Sequence, residues 1–214
     1  MANLITLSRL LLLIVVVAIA YQPPAPWQFA NVILLILVFV TDGLDGYVAR
    51  RRNETSLFGA LFDIAGDRIV ELTMWIVLAD LGLVPVWVPI VFVIRGTIVD
   101  TIRASHSRRE GESPFAMMAT ALGRFIVAGK FMRIFYAVLK ATAFCWLLFT
   151  RTFAVVFPGI WSEWGGLMGG FGSFLVYLSA LICILRGLPV VLEFVYQERD
   201  AILGRAGPAG PAAR

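Results

Sequence analysis

"TDGLDGYVARRRNETSLFGALFDIAGDR", residues 41–68, sets four aspartates, Asp42, Asp45, Asp63 and Asp67, in a chain otherwise dominated by valine, leucine and isoleucine. Carboxylates at or near bilayer depth are costly to desolvate, so four of them together need a chemical reason.

The surrounding composition is that of a membrane protein. Of 214 residues, 60% are hydrophobic and only 15% charged, with a mean hydropathy of +0.87; a soluble domain carries roughly 25% charged residues. The apolar excess is spread over the whole chain, which excludes a nucleic-acid-binding class despite the net charge of +4. Each bilayer crossing needs ~20 mostly apolar residues, and candidate spans fall at 4–20, 29–49, 60–81, 83–103, 117–148 and 167–194. "YQPPAPWQ" (21–28) breaks the first two spans apart, "LGLVPVWVP" (81–89) makes a tight turn, and "SHSRREGESP" (105–114) reads as a charged loop. The first apolar run holds Arg9 and no small-x-small cleavage site, so it reads as a span rather than a signal peptide. Cys145 and Cys183 sit in apolar segments and read as buried thiols, not a disulfide.

Loop charge orients the bundle. Arg50, Arg51 and Arg52 follow the second span, Arg103, Arg108 and Arg109 the fourth, and Arg186, Arg199 and Arg205 lie near the C-terminus. The alternate loops are nearly free of bases, with Arg151 alone in the loop expected at 149–166. By the positive-inside rule both termini are cytoplasmic. The expected fold is therefore an all-α integral membrane protein, a six-transmembrane-helix bundle over residues 1–200 with a cytoplasm-facing active site. A disordered tail of Gly, Pro and Ala follows at 201–214. The expected location is the cell inner (cytoplasmic) membrane.

On a helix, residues three and four apart share a side. Asp42, Asp45, Gly46 and Ala49 thus form one stripe, and Gly59, Asp63 and Asp67 form a second at four-residue spacing. A short basic loop between them lets the two stripes face each other, with small residues leaving room for a ligand near the backbone. Four such carboxylates cannot all ionise unaided. Hard divalent cations resolve the repulsion, and an oxygen-only donor set points to Mg²⁺, Mn²⁺ or Ca²⁺ rather than zinc. The single histidine, His106, lies in a polar stretch and argues against a histidine metal site or a Ser-His-Asp triad. Two metals sharing carboxylates point to phosphoryl chemistry on a pyrophosphate substrate. The plainer reading of any one aspartate is an ion pair with Arg50 or Arg68.

The pattern Asp42-x2-Asp45-Gly46-x2-Ala49-Arg50-x8-Gly59-x3-Asp63-x3-Asp67 resembles the signature of the CDP-alcohol phosphatidyltransferases at every defined position. That resemblance implies six helices around a cytoplasm-facing site, metal binding by Asp42, Asp45 and Asp63, and a double role for Asp67 as metal ligand and base. It implies two Mg²⁺ or Mn²⁺ ions, a CDP site formed by Gly46, Ala49, Arg50 and Gly59 with Arg50 on the phosphates, and a homodimer. The donor it implies is CDP-diacylglycerol. "NLITLSRLLLL" (3–13) and "RGTIVDTIR" (95–103) are similar to segments of phosphatidylglycerophosphate synthases, although Gly96 and Asp100 depart from the acidic and small residues usual there.

Basic residues inside spans also need a partner. A phosphorylated polyol, glycerol 3-phosphate before inositol phosphate, accounts for Arg95, Arg103, Arg124, Lys130 and Arg133, with Arg186 a further candidate. The competing reading has these bases snorkelling to anionic headgroups. Trp27, Trp161 and Trp164 read as an outer aromatic belt. "GGLMGGFG" (165–172) reads as a helix-packing surface, and Tyr136 as lipid-facing or core. From a different class, an ion or proton transporter would use the aspartates as a relay, but its carboxylates should spread across membrane depth, whereas these gather at one end.

Overall fold

The computed structural model describes residues 2–52, 57–110 and 129–197. Within its helices the side chains of 2–5, 42–52, 57, 58, 60, 103–110, 130 and 197 lie outside the described set, as do Arg124 and the expected tail at 201–214.

Every regular element is helical among the described residues: α1 (Ala2–Ala20), α2 (Phe29–Arg52), α3 (Leu57–Asp80), α4 (Trp87–Glu110), α5 (Lys130–Val156) and α6 (Pro158–Gln197), with one 3₁₀ turn at Pro26–Gln28. Pro23, Pro24 and Pro26 stop α1, because proline cannot donate to the preceding turn. The buried Gln28 then caps it, its amide nitrogen donating to the carbonyls of Ile19, Gln22 and Pro23 at 2.9–3.1 Å. Gly82 takes the left-handed conformation (φ +73°) that closes the turn after α3, a position glycine adopts without Cβ strain.

Two corrections to the expected boundaries follow. The fifth and sixth helices run over 130–156 and 158–197, so the loop expected at 149–166 is helix apart from Phe157. Pro158 opens α6 as its first residue, where a missing N–H costs nothing. Likewise α4 continues through Glu110, so residues 105–110 of the expected charged loop are helical.

The burial pattern is that of helices packed along one stripe, with an apolar face left on the other. Residues 6, 9, 13, 16 and 20 of α1 are buried, as are 172, 175, 176, 179, 180, 183 and 187 of α6, at the three- and four-residue spacing of a packing face. The outer faces are apolar: Leu7, Leu11 and Ile14 of α1 and Leu181, Ile184 and Leu188 of α6 are exposed. Phe131–Val156 and Pro158–Tyr196 are each long and apolar enough to cross a bilayer, with shorter apolar runs at Thr6–Ala20 and Pro26–Thr41. The charges gathered on α3 and α4 lower the hydropathy of those two helices.

α1 packs against both α2 and α3, α5 against α2 and α6, and α6 against α4. Trp75, fully buried, joins three helices: its ring centroid is 4.6 Å from that of Phe92 on α4 and 4.6 Å from that of Phe144 on α5. Such contacts carry the association, since lipid tails are as apolar as leucine and only packing distinguishes a helix from lipid.

The α1–α2, α3–α4 and α5–α6 turns gather at one end. Arg151 Nη1 donates to the Ala20 carbonyl at 2.7 Å, the Phe29 and Phe157 rings meet at 6.5 Å, and the Tyr21 hydroxyl donates to Asp80 Oδ2 at 2.8 Å. That bond, together with the nearby negative charge, raises the Tyr21 phenol above its ordinary pKa. Trp27 and Trp164 are exposed at this end. Of the expected glycine packing surface, Gly172 sits against Leu147 and Trp146, but Gly166, Gly169 and Gly170 have no described atom within 4 Å of a Cβ position. Cys145 and Cys183 are free, as expected.

Candidate active site

At the opposite end, α3 presents Gly59, Asp63, Asp67 and Glu71, each four residues after the last. α1 crosses this stripe. The fully buried Arg9 places Nη1 3.0 Å from Asp67 Oδ1 and Nη2 3.9 Å from Asp63 Oδ1. Gly66 makes the approach possible: a Cβ there would lie 2.6 Å from Arg9 Nη2 and 2.9 Å from Thr6 Cγ2. The side chains of Asp63 and Asp67 keep about half their exposure, 46% and 53%, so neither is consumed by the pair.

The aspartates therefore pair with neither expected arginine among the described contacts. Arg50 lies outside the described side chains. Arg68 turns to the other side of α3, where it is held bidentately by Asp100, Nε to Oδ2 at 2.8 Å and Nη2 to Oδ1 at 2.9 Å. Its remaining nitrogen donates to Glu71 Oε2 at 3.0 Å. Glu71 Oε1 in turn accepts from Lys140 Nζ on α5. Four charges thus close on one another across α3, α4 and α5. Gly96 faces Arg68 too, 3.8 Å from Nη1 at its Cβ position; Asp100 reaches the same guanidinium from one turn further along α4.

Beside this network opens a cavity of about 340 Å³. Its polar wall is Arg9, Asp67, Arg68, Glu71, Arg95, Arg133, Tyr136, Lys140 and Arg186; Val38, Phe39, Val70 and Phe144 supply the apolar one. Six bases face two acids. Arg95, Arg133 and Arg186 add to the positive charge of this wall, which suits an anionic guest. Arg95 fits against α6 because residue 187 is glycine: a Cβ there would be 2.7 Å from Arg95 Cγ.

Of the residues read from sequence, Asp63, Asp67, Arg95 and Arg133 come together at this end, with Gly59 on the same stripe. Asp42, Asp45, Gly46, Ala49 and Arg50 lie on the described backbone of α2, Arg103 on that of α4 and Lys130 at the start of α5, but their side chains are outside the described set, and Arg124 is outside it altogether. Tyr136 is a core residue, the second of its two expected readings, and it also lines the cavity. Lys140 and Glu71 were missed. Helical spacing could have found both: Glu71 is one turn beyond Asp67, and Arg133, Tyr136, Lys140 and Phe144 recur on one face of α5 at three- and four-residue steps.

The family model described as CDP-alcohol phosphatidyltransferase matches residues 1–185. Among curated proteins, the chain is similar to the CDP-diacylglycerol–glycerol-3-phosphate 3-phosphatidyltransferase of Escherichia coli K12, 29% identical over 187 residues, 83% of this chain and 92% of that one. It is similar to proteins of the same description from Wigglesworthia glossinidia brevipalpis, 30% identical over 102 residues, and Bacillus subtilis, 32% identical over 114 residues. The matches to these two span 56% and 58% of their lengths and 46% and 47% of this chain.

Proposed function

The chain belongs to the CDP-alcohol phosphatidyltransferase family, and from that membership we propose that it transfers a phosphatidyl group from CDP-diacylglycerol to glycerol 3-phosphate, releasing CMP, in phospholipid synthesis. The observation that carries this reading is the cavity in which Asp67 shares a wall with Arg95, Arg133 and Arg186: a carboxylate able to take a proton beside cations suited to a phosphate. The relatives' descriptions support glycerol 3-phosphate as the acceptor.

In this reading the acceptor's phosphate is held by Arg95, Arg133 and Arg186, with Lys130, Arg103 and Arg124 as further candidates. Its hydroxyl oxygen attacks the phosphorus bearing diacylglycerol and loses its proton to the Asp67 carboxylate. The bond from that phosphorus to the oxygen of CMP breaks, and CMP leaves with the electron pair. Arg9, 3.0 Å from Asp67 Oδ1, holds the carboxylate in place for the proton. Gly46, Ala49, Arg50 and Gly59 hold the CDP moiety, Arg50 on its phosphates.

Two Mg²⁺ or Mn²⁺ ions belong to this reading, held by Asp42, Asp45, Asp63 and Asp67. Among the described residues no group of three or more donors gathers, since the side chains of Asp42 and Asp45 lie outside them; the reading is supported by Asp63 Oδ1, which is buried and accepts no hydrogen bond from a described residue, and by a hard-oxygen donor set. When bound, these ions supply positive charge for the donor's pyrophosphate and for the forming alkoxide. The arginines at the ends of α2 and α4 support an inner-membrane protein with its site and termini in the cytoplasm; six spans and a homodimer belong to this reading through the family resemblance alone. Purified protein given CDP-diacylglycerol and, in turn, glycerol 3-phosphate, inositol phosphate and serine tests the reading. CMP release is expected with glycerol 3-phosphate first, and release with serine alone would refute the acceptor.

A further inference from the structure

Buried tyrosine hydroxyls ordinarily find a hydrogen-bond partner. Among the described residues Tyr136 finds no nitrogen or oxygen partner. Its residue is only 8% exposed, and its hydroxyl, in the wall of the cavity, has only the Cys183 thiol beside it. The neighbouring Cys183 thiol is too weak a partner to meet that demand. The ring, by contrast, is firmly placed: Lys140 Nζ lies 4.3 Å from its centroid and the Arg186 guanidinium 5.6 Å. Packing and cation–π contact explain the ring and would be served equally by phenylalanine; they leave the hydroxyl unexplained.

Its chemistry differs from that of every other polar group lining the cavity. Arginine and lysine can only donate, and ionised Asp67 and Glu71 can only accept. Tyr136 carries the only hydroxyl among the described lining residues, the one group there able to donate and accept. Glycerol 3-phosphate, the acceptor of the reading above, on which this inference rests, has three polar parts. Its phosphate suits the arginines and its reacting hydroxyl suits Asp67. Its middle hydroxyl both donates and accepts, and needs a partner that can do the same. We propose that Tyr136 is a specificity-determining residue whose hydroxyl hydrogen-bonds the middle hydroxyl of the acceptor.

The test compares Tyr136→Phe with the wild type on two acceptors, glycerol 3-phosphate and 3-hydroxypropyl phosphate, which lacks only that hydroxyl. The wild type should prefer glycerol 3-phosphate in kcat/KM, and Tyr136→Phe should shrink the preference by roughly 3- to 10-fold, the worth of one neutral hydrogen bond. Turnover of 3-hydroxypropyl phosphate and the KM for CDP-diacylglycerol should be unchanged. A thermal-shift titration of both proteins with the two phosphates makes the same comparison without turnover, and Tyr136→Met repeats it without the ring. Equal losses on both acceptors, or an unaltered preference, overturn the role of Tyr136. A wild type that releases no CMP with glycerol 3-phosphate overturns the acceptor itself, a separate result.

Discussion

Gly187→Ala puts a single methyl against Arg95 of the proposed acceptor site without altering any charged residue. The new Cβ would lie 2.7 Å from Arg95 Cγ, 3.2 Å from Nε and 3.5 Å from Cδ. Carbon atoms pack best at about 3.5–4.0 Å, so the nearest contact is short by roughly 1 Å. Cγ sits near the root of the side chain, so relief requires Arg95 to swing as a whole or α4 and α6 to part. Parting packed helices costs about 1–3 kcal/mol; an off-rotamer arginine costs about 0.5–1.5 kcal/mol. Alanine's helix preference over glycine returns up to about 1 kcal/mol. The cheaper response therefore moves Arg95 and leaves stability nearly unchanged. A charge-assisted hydrogen bond to phosphate contributes about 1.5–3 kcal/mol, so its loss should raise the acceptor KM roughly 10- to 100-fold. Saturation curves for glycerol 3-phosphate and for CDP-diacylglycerol, with Arg95→Gln alongside, make the measurement. Both variants should raise the acceptor KM and spare the donor KM, and their double variant should be no worse than Arg95→Gln alone. The reasoning fails if Gly187→Ala melts at the wild-type temperature and keeps the wild-type acceptor KM while Arg95→Gln does not.

Three further outcomes are expected. Chelation should abolish CMP release and Mg²⁺ or Mn²⁺ restore it; turnover in excess EDTA after thorough stripping would count against the paired ions. Asp67→Asn should stop transfer while donor binding persists, whereas Asp63→Asn should weaken metal-dependent donor binding as well; near-normal turnover by Asp67→Asn places the base elsewhere. Glu71→Gln removes the acceptor charge shared by Lys140 and Arg68, and breaking a buried pair costs about 3–5 kcal/mol; a melting temperature within a degree of wild type would show that the network bears little of the stability.

The register of Asp63 and Asp67 on α3, the all-helical fold of the described residues and the reaction class were legible because they are local properties. Apolar run length reports a helix able to sit in lipid, and a four-residue period puts Gly59, Asp63 and Asp67 on one face whatever surrounds them. The ends of α5 and α6 were less legible: "TRTFAVVFPGIW" (150–161) carries a basic residue and a proline that read as loop, yet Pro158 begins a helix after a single residue's break. Pairing is a different matter. Nothing in the period of α3 says that Arg9 from α1 answers Asp67, that Arg68 turns to Asp100 and Glu71, or that Lys140 completes the set from α5. Charge partners in a membrane are chosen by which helices touch and at what depth, and close approach depends on single missing methyl groups, at Gly66 for Arg9 and at Gly187 for Arg95. The sequence by itself determined a helical membrane protein with an acidic face on α3; only the tertiary structure decided which cations meet that face, because helix contacts are made between positions that no spacing along the chain relates.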